Sequence, residues 1–340
     1  MKHLLLAASL LLCIAGKAQQ TSDQVITRIG FGSCISQDKP QDIWYTVIKQ
    51  KPELFIMLGD NIYGDTEDMT LLQNKYNKLG RKPGYQLLQQ NTPVIATWDD
   101  HDYGINDGGK EYPKKEESKQ IFLDFFKEPA NSERRKREGI YTSYQYEKSG
   151  KRLQIIVLDL RTFRDKICLK GKDEDCFGEY EKCTDTTKTM LGVQQWKWLE
   201  QELSKPADLR IIVSSTQFLV DFNGWEAWIN LPHERERFLG LIQKTKANGV
   251  VFVSGDLHYA ELSKLKRPNS YPIYDLTTSG LTHGHSCAGE NVNRIYGAYM
   301  QANFGLFTID WSKNTLLMEI KNEKGETKIQ HTLPFSELKF

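Results

Sequence analysis

Hydrophobic residues in this chain come in short runs that stop abruptly at polar ones. Residues 28–33 and 54–59 are two such runs, each the length of a buried strand, with a helix-like segment at about 39–50 between them. The first ends in Gly32-Ser33-Cys34, the second in Gly59-Asp60-Asn61-Ile62-Tyr63. Helices are expected through 69–90, then a strand over 93–98 that runs into Asp99-Asp100-His101-Asp102. A charged helical segment follows at about 114–127, and 141–146 and 152–160 alternate like a hairpin around Ser149-Gly150. Val193, Trp196 and Leu199 share one face of a helix over 193–203, followed by a strand at 209–214, a helix at 234–246 and a strand at 249–254. That last strand leads into Gly255-Asp256-Leu257-His258. The tail alternates as strands at 261–265, 273–278, 306–311, 316–321 and 327–332, with a turn at Asn322-Glu323-Lys324-Gly325. Alternating strands and helices, then a run of strands, argue for an α/β sandwich of sheets flanked by helices. No repeat, low-complexity tract or linker interrupts 19–340, so one domain is expected there.

Composition adds limits. The chain has 340 residues, 39% hydrophobic and 26% charged, with a formal net charge of +1. Such a chain can bury a large core, and its near-neutral balance gives no reason to expect a nucleic-acid-binding surface. Arg134-Arg135-Lys136-Arg137, flanked by Glu133 and Glu138, reads as a solvated helix face. Residues 1–18 differ from the rest. Lys2 and His3 precede an apolar stretch from Leu4 to Ala15, and Gly16 and Ala18 offer small residues before a cleavage point at Gln19. This is a signal-peptide pattern, too short for a membrane span. No other stretch is long and apolar enough to span, so an exported protein, periplasmic or secreted, is expected; a monomer is expected separately.

Export changes the meaning of the cysteines. Beyond the leader they are Cys34, Cys168, Cys176, Cys183 and Cys287. An odd count leaves one thiol for another purpose, and Cys34, at a strand end beside other polar residues, is the candidate. The other four allow three pairings, and their spacing does not choose among them.

The candidate chemistry lies where strands stop. Cys34, Asp60–Tyr63, Asp99–Asn106 and Asp256–His258 all follow apolar runs. In open α/β sheets that carboxyl edge is where ligands bind. A lone Asp there is usually a cap, and a lone Cys or Tyr is usually packing. Several carboxylates brought to one edge would repel and stay partly protonated, and a bound cation removes the problem. Cys, Tyr and His suit a transition metal such as iron, whereas carboxylate and Asn oxygens suit a hard cation such as calcium.

The set GSC (32–34), GDNIY (59–63), TWDDHDYGIND (97–107), LDLR (158–161) and SGDLHYAEL (254–262) resembles the alkaline phosphatase D (PhoD) family, exported metallophosphoesterases of the calcineurin-like superfamily. The match runs from about Arg28 to Gly280. The resemblance implies a four-layer αββα sandwich with metals at the sheet edge. It implies iron on Cys34, Asp60, Tyr63 and His258, and calcium on the shared Asp60, Asp256 and Asn106. Asp100 stands where the wider superfamily places a metal-binding Asn and is the competing ligand. The implied reaction is hydrolysis of a phosphate ester, mono- or diester, by in-line attack of a metal-bound hydroxide. The extra N-terminal β-domain of many members is not expected here, since the matching part begins almost at the mature N-terminus.

Other residues carry two readings each. His101 either protonates the leaving oxygen or orients a ligand. Arg161 is expected to face the phosphate, and Arg164 to be structural. Gln217 is a candidate outer donor. Trp225 and Trp228 form either a lid or ordinary packing, His283 lies near the site, and His285 is read as a surface residue. Two further functions are open: a thiol hydrolase using Cys34 with His258 as base, and a non-catalytic module that binds metal or phosphate ligands.

Overall fold

The computed structural model describes residues 20–22, 25–170, 178–221 and 224–340. The expected leader at 1–18, and Cys176, lie outside the described residues. The strands in chain order are β1 (Gln20–Ser22), β2 (Arg28–Gly32), β3 (Leu54–Leu58), β4 (Val94–Thr97), β5 (Thr142–Lys148), β6 (Lys151–Val157), β7 (Cys168–Leu169), β8 (Tyr180–Glu181), β9 (Leu209–Val213), β10 (Val250–Ser254), β11 (Ala260–Leu265), β12 (Ile273–Thr278), β13 (Asn303–Asp310), β14 (Thr315–Asn322) and β15 (Thr327–Pro334). The helices are α1 (Ile43–Lys49), α2 (Met69–Gly80), α3 (Pro83–Asn91), α4 (Asp100–Tyr103), α5 (Lys115–Phe125), α6 (Glu133–Lys136), α7 (Gly192–Leu203) and α8 (Pro232–Thr245).

One sheet runs β1-β5-β6-β9-β10-β12-β11 and the other β15-β14-β13-β2-β3-β4. The alternation of β3 explains how they stack. Leu54, Ile56 and Leu58 join one apolar cluster with Leu153, Ile155, Val213 and Val251 of the facing sheet. Phe55 and Met57, on the opposite side of the pleat, join a second cluster with Trp44, Leu72, Leu88 and Phe122 from helices α1, α2, α3 and α5. Trp196 and Leu199 of α7 and Phe238 and Ile242 of α8 cover the other sheet. The layers are therefore helix, sheet, sheet, helix, a metallophosphoesterase-type αββα sandwich. Both faces of the central strands are covered, so those strands read as unbroken apolar runs.

Strand direction places the site. β2 pairs in parallel with β3, β3 with β4, and β9 with β10. The carboxyl ends of β2, β3 and β4 in one sheet and of β10 in the other reach the same edge of the sandwich. Element boundaries shift in explicable ways. The expected helix over 69–90 divides in two, with Pro83 opening the second half. The helix expected from 39 begins at Ile43, beyond Pro40. Asp100–Tyr103 forms a helical turn where the sequence suggested only a loop. In the cysteine loop β7 and β8 pair antiparallel, and Cys168 is bonded to Cys183. Cys287 is also disulfide-bonded, and Cys34 is a free cysteine.

Candidate active site

The chain bends sharply where each strand end meets the site. Cys34, Asp60, Asp256 and His258 adopt φ values of 57°, 49°, 77° and 57°. Left-handed backbone at a non-glycine residue costs roughly 1–3 kcal/mol and persists only when its surroundings enforce it. Gly59 precedes Asp60 with φ 109°, and a Cβ there would lie 2.6 Å from Cβ of Asp99. A glycine at this position lets the ends of β3 and β4 approach, so that Asp60 and Asp99 share one pocket. After β4, the Asp99 N–H donates to Oδ1 of Asp102 at 2.7 Å, which starts the α4 turn and brings Asp100 and His101 round.

These bends bring the side chains together. The Cys34 thiol donates to Oδ2 of Asp60 at 3.3 Å, and its sulfur lies 3.1 Å from Oγ of Ser279. The same sulfur is 3.3 Å from the Asp256 carbonyl, so β2 of one sheet meets β10 of the other here. Tyr63 Oη is 3.0 Å from Nε2 of His258 and 3.4 Å from Nε2 of His283. The Tyr63 ring packs on His101 with centroids 4.4 Å apart, and His101 Nδ1 lies 2.7 Å from Oδ1 of Asp65. Cys34, Asp60 and His258 can each offer a ligand atom within 4.8 Å of the others. The same holds for Asp60, Asp100 and His101, for Asp60, Asp99, Asp100 and Asp256, and for Asp100, Asp107 and Glu226. A cavity of about 240 Å³ opens over the cluster and is lined by Asp60, Asp100, His101, Asp256 and His258 among others.

Electrostatics show what the cluster lacks. Burial pushes the Asp60 carboxyl well above the usual carboxylate range, and Cys34, Asp100, Asp99 and Asp102 push it further. Asp256 is driven up the same way, by burial and then by Asp99, Asp100 and Glu226. Burial raises Asp99 to about 6 against the pull of Arg161, and Asp102 to about 7. For Asp100, burial opposes ionisation, but Arg161, His101 and the Asp107 N–H outweigh it and lower its pKa. Burial lifts the Cys34 thiol to about 12 and the Tyr63 phenol well above its ordinary value, and lowers His258 to about 3. Buried Asp60 Oδ1, Asp99 Oδ2 and Asp100 Oδ1 have no hydrogen-bond partner. Orphaned buried carboxylate oxygens beside a thiol, a phenol and an imidazole make a donor set that suits bound metal cations. The residues fit the group.

Not every sequence-based expectation holds in detail. Arg161 is 0% exposed and lies between carboxylates rather than at the cavity wall. Its Nε donates to Asp99 Oδ1 at 2.6 Å and its Nη1 lies 2.6 Å from Glu226 Oε2. In this geometry the guanidinium serves as a counter-charge to Asp99 and Glu226. Arg164 pairs with the other Glu226 oxygen at 2.9 Å. Of the two competing ligands, Asp100 is buried in the cluster with Asp60 and Asp256, while Asn106 is exposed and lines the same cavity. Gln217 lies deeper, donating to Glu261 and Thr277. The tryptophans divide. Trp228 is core, packed on Phe218 and Phe238, whereas Trp225 lines the cavity near His285, at 6.1 Å between centroids. His285 is therefore at the cavity and not a surface residue apart from it. Asp107 and Glu226 were missed by sequence reasoning. The available signals were an acid closing the TWDDHDYGIND stretch and a lone charge between Trp225 and Trp228.

Known proteins resemble this chain in sequence and in fold. Alkaline phosphatase D of Bacillus subtilis (strain 168) is 22% identical over 266 residues, 64% of this chain and 43% of that protein, so the chain spans less than half of that relative's length. A solved structure of PhoD superposes with a TM-score of 0.72 at 17% identity, covering 92% of this chain and 69% of that one. GAP50, described as the anchor in the inner membrane complex of Plasmodium, superposes with a TM-score of 0.59 at 12% identity, covering 92% and 89%. At such identities the superpositions establish the fold alone. The sequence family described as PhoD-like phosphatase matches residues 31–332, which takes in every strand-end cluster from Cys34 to His258, and the chain belongs to that family.

Proposed function

We propose that the chain is an exported, metal-dependent phosphoesterase acting on phosphomonoesters, phosphodiesters or both, with residues 19–340 as one catalytic domain. The position of Asp60 carries this reading. Among the described residues, it belongs to three of the four side-chain groupings close enough to hold a cation. Cys34, Asp60, Tyr63 and His258 would hold iron, and Asp60 and Asp256, with Asp100 or Asn106, would hold calcium. Bound there, the ions would supply the missing counter-charge, polarise phosphoryl oxygens and lower the pKa of a water near phosphorus.

The protein's own groups do the rest. Burial opposes charge on His101, but in the metal-free protein Asp65, Asp100 and Asp99 outweigh it and raise the imidazole to about 9. Asp65 on Nδ1 and the Tyr63 ring fix its orientation, so its other nitrogen is the proton source for a departing alkoxide. Arg161 pairs with Asp99 and Glu226 and holds both side chains in place. The thiol reading loses support, because a nucleophilic Cys needs a lowered pKa and access, whereas Cys34 is fully buried and pushed up.

The test is hydrolysis of p-nitrophenyl phosphate and bis(p-nitrophenyl) phosphate by metal-loaded protein, before and after chelation. Turnover that disappears on chelation and returns with iron and calcium supports the proposal. Metal-loaded protein that turns over neither ester is a binding module instead, and the fold alone does not decide between the two.

A further inference from the structure

We propose that Tyr180 is a positioning residue for the metal centre, held in place by the Cys168–Cys183 disulfide; the inference rests on the metal reading above. Asp107 can offer an oxygen within 4.8 Å of ligand atoms on Asp100 and Glu226, and it lines the same cavity. Its backbone is fixed on both sides. Its N–H donates to Asp100 Oδ2 at 2.8 Å, and its carbonyl accepts from Arg164 Nη2 at 2.5 Å. Its carboxylate orientation is set by two donors on one oxygen. Asn106 Nδ2 reaches Oδ2 at 2.8 Å, but Asn106 is exposed and on the same loop. Tyr180, 73 residues away in sequence and buried, donates its hydroxyl to the same Oδ2 at 2.6 Å. A hydroxyl on a carboxylate is a charge-assisted bond, and it fixes the rotation of the Asp107 carboxylate that lines the cavity.

Tyr180 arrives on a short hairpin that does not stand alone. Leu169 pairs with Tyr180 and Cys168 with Glu181, and the Cys168–Cys183 disulfide closes the base. The Tyr180 N–H donates to the Gly224 carbonyl at 2.8 Å, and Gly178 lies so close to Gly224 that neither leaves room for a Cβ. Gly224 is two residues from Glu226, the third member of the grouping. The hairpin thus holds Asp107 by a side chain and the Glu226 segment by backbone. Removing a hydrogen-bonding partner behind a metal ligand typically lowers metal affinity by 10–100-fold.

The experiment is a calorimetric titration of calcium into iron-loaded protein, with iron content measured in parallel. Tyr180→Phe keeps the ring and drops the hydroxyl. It is expected to weaken calcium binding about 10-fold with iron content unchanged. The Cys168→Ser/Cys183→Ser double variant should shift calcium affinity the same way and add little to Tyr180→Phe. If the double variant does not fold, Tyr180→Phe decides alone. A purely structural role would lower the melting temperature equally with and without calcium, whereas positioning predicts the larger loss with calcium present. An unchanged calcium midpoint in Tyr180→Phe overturns the inference and leaves the phosphoesterase reading standing. Wild-type protein that takes up no calcium overturns both.

Discussion

The Tyr63 hydroxyl lies 3.0 Å from Nε2 of His258, although 195 residues separate the two. Tyr63 follows the β3 loop of one sheet and His258 the β10 loop of the other. A contact this long in sequence and this short in space exists because the two sheets end at one edge. It places a phenol and a neutral imidazole beside the Cys34 thiol and the Asp60 carboxyl, a donor set with no counter-charge of its own.

Asp60→Asn tests the consequence most sharply. The carboxyl is buried, ringed by acids and driven toward its protonated form. Without metal, the variant should be as stable as wild type or more so, since a buried uncompensated charge is costly. With metal, it should lose the metal-dependent rise in melting temperature that wild type shows, and hydrolysis should fall by at least ~10³-fold. Paired melts with and without metal check this. A clear loss of stability in the metal-free variant would show that Asp60 has a structural partner.

The metal-free protein should also carry a pH signature. Asp60 and Asp256 are raised above the ordinary value of 3.8, Asp99 to about 6 and Asp102 to about 7. A raised carboxyl pKa means that the folded state binds the extra proton. Its stabilising effect is complete below the unfolded pKa and is lost as pH rises through the folded one. Urea unfolding of chelated protein should therefore show stability falling between about pH 4 and pH 7, and bound metal should flatten that slope. A flat profile without metal would contradict the assignment.

Arg161→Met should unfold the region rather than merely slow catalysis. The guanidinium is fully buried and joins Asp99 to Glu226. Removing one partner from such a network typically costs about 3–5 kcal/mol, because the other charges stay buried. Urea denaturation measures it. A loss below about 1 kcal/mol would mean that solvent reaches the carboxylates readily.

His101→Ala separates proton donation from orientation. A general acid contributes about 10²–10⁴-fold when the leaving group needs a proton. The variant should lose that factor on an alkyl phosphate and far less on a p-nitrophenyl ester, whose phenolate leaves unaided. Equal losses on both would make His101 a ligand-orienting residue.

A sandwich of sheets flanked by helices was legible because the buried strands are unbroken apolar runs and the helices show a single apolar face, while the four-layer αββα order came from the family resemblance. The strand-end residues Cys34, Asp60, Tyr63, Asp256 and His258 were legible for the same reason, since a run that stops at a polar residue marks the sheet edge. The partners of Arg161 were not legible, because a sequence shows a cation after a strand but not the carboxylates that will surround it. Asp107 and Glu226 come from loops and Tyr180 from the short strand β8, segments that meet through long-range contacts such as the close packing of Gly178 on Gly224, and no periodicity encodes that. The α4 turn was hidden in a run of acids, where capping rather than hydrophobic spacing starts the helix.

The most direct test of the central claim is bis(p-nitrophenyl) phosphate hydrolysis followed against iron and calcium content per chain as chelated protein is reloaded. The account predicts no turnover in chelated protein and a rate that rises with bound metal in wild type but not in Asp60→Asn. Full turnover by protein shown to hold neither metal would contradict it.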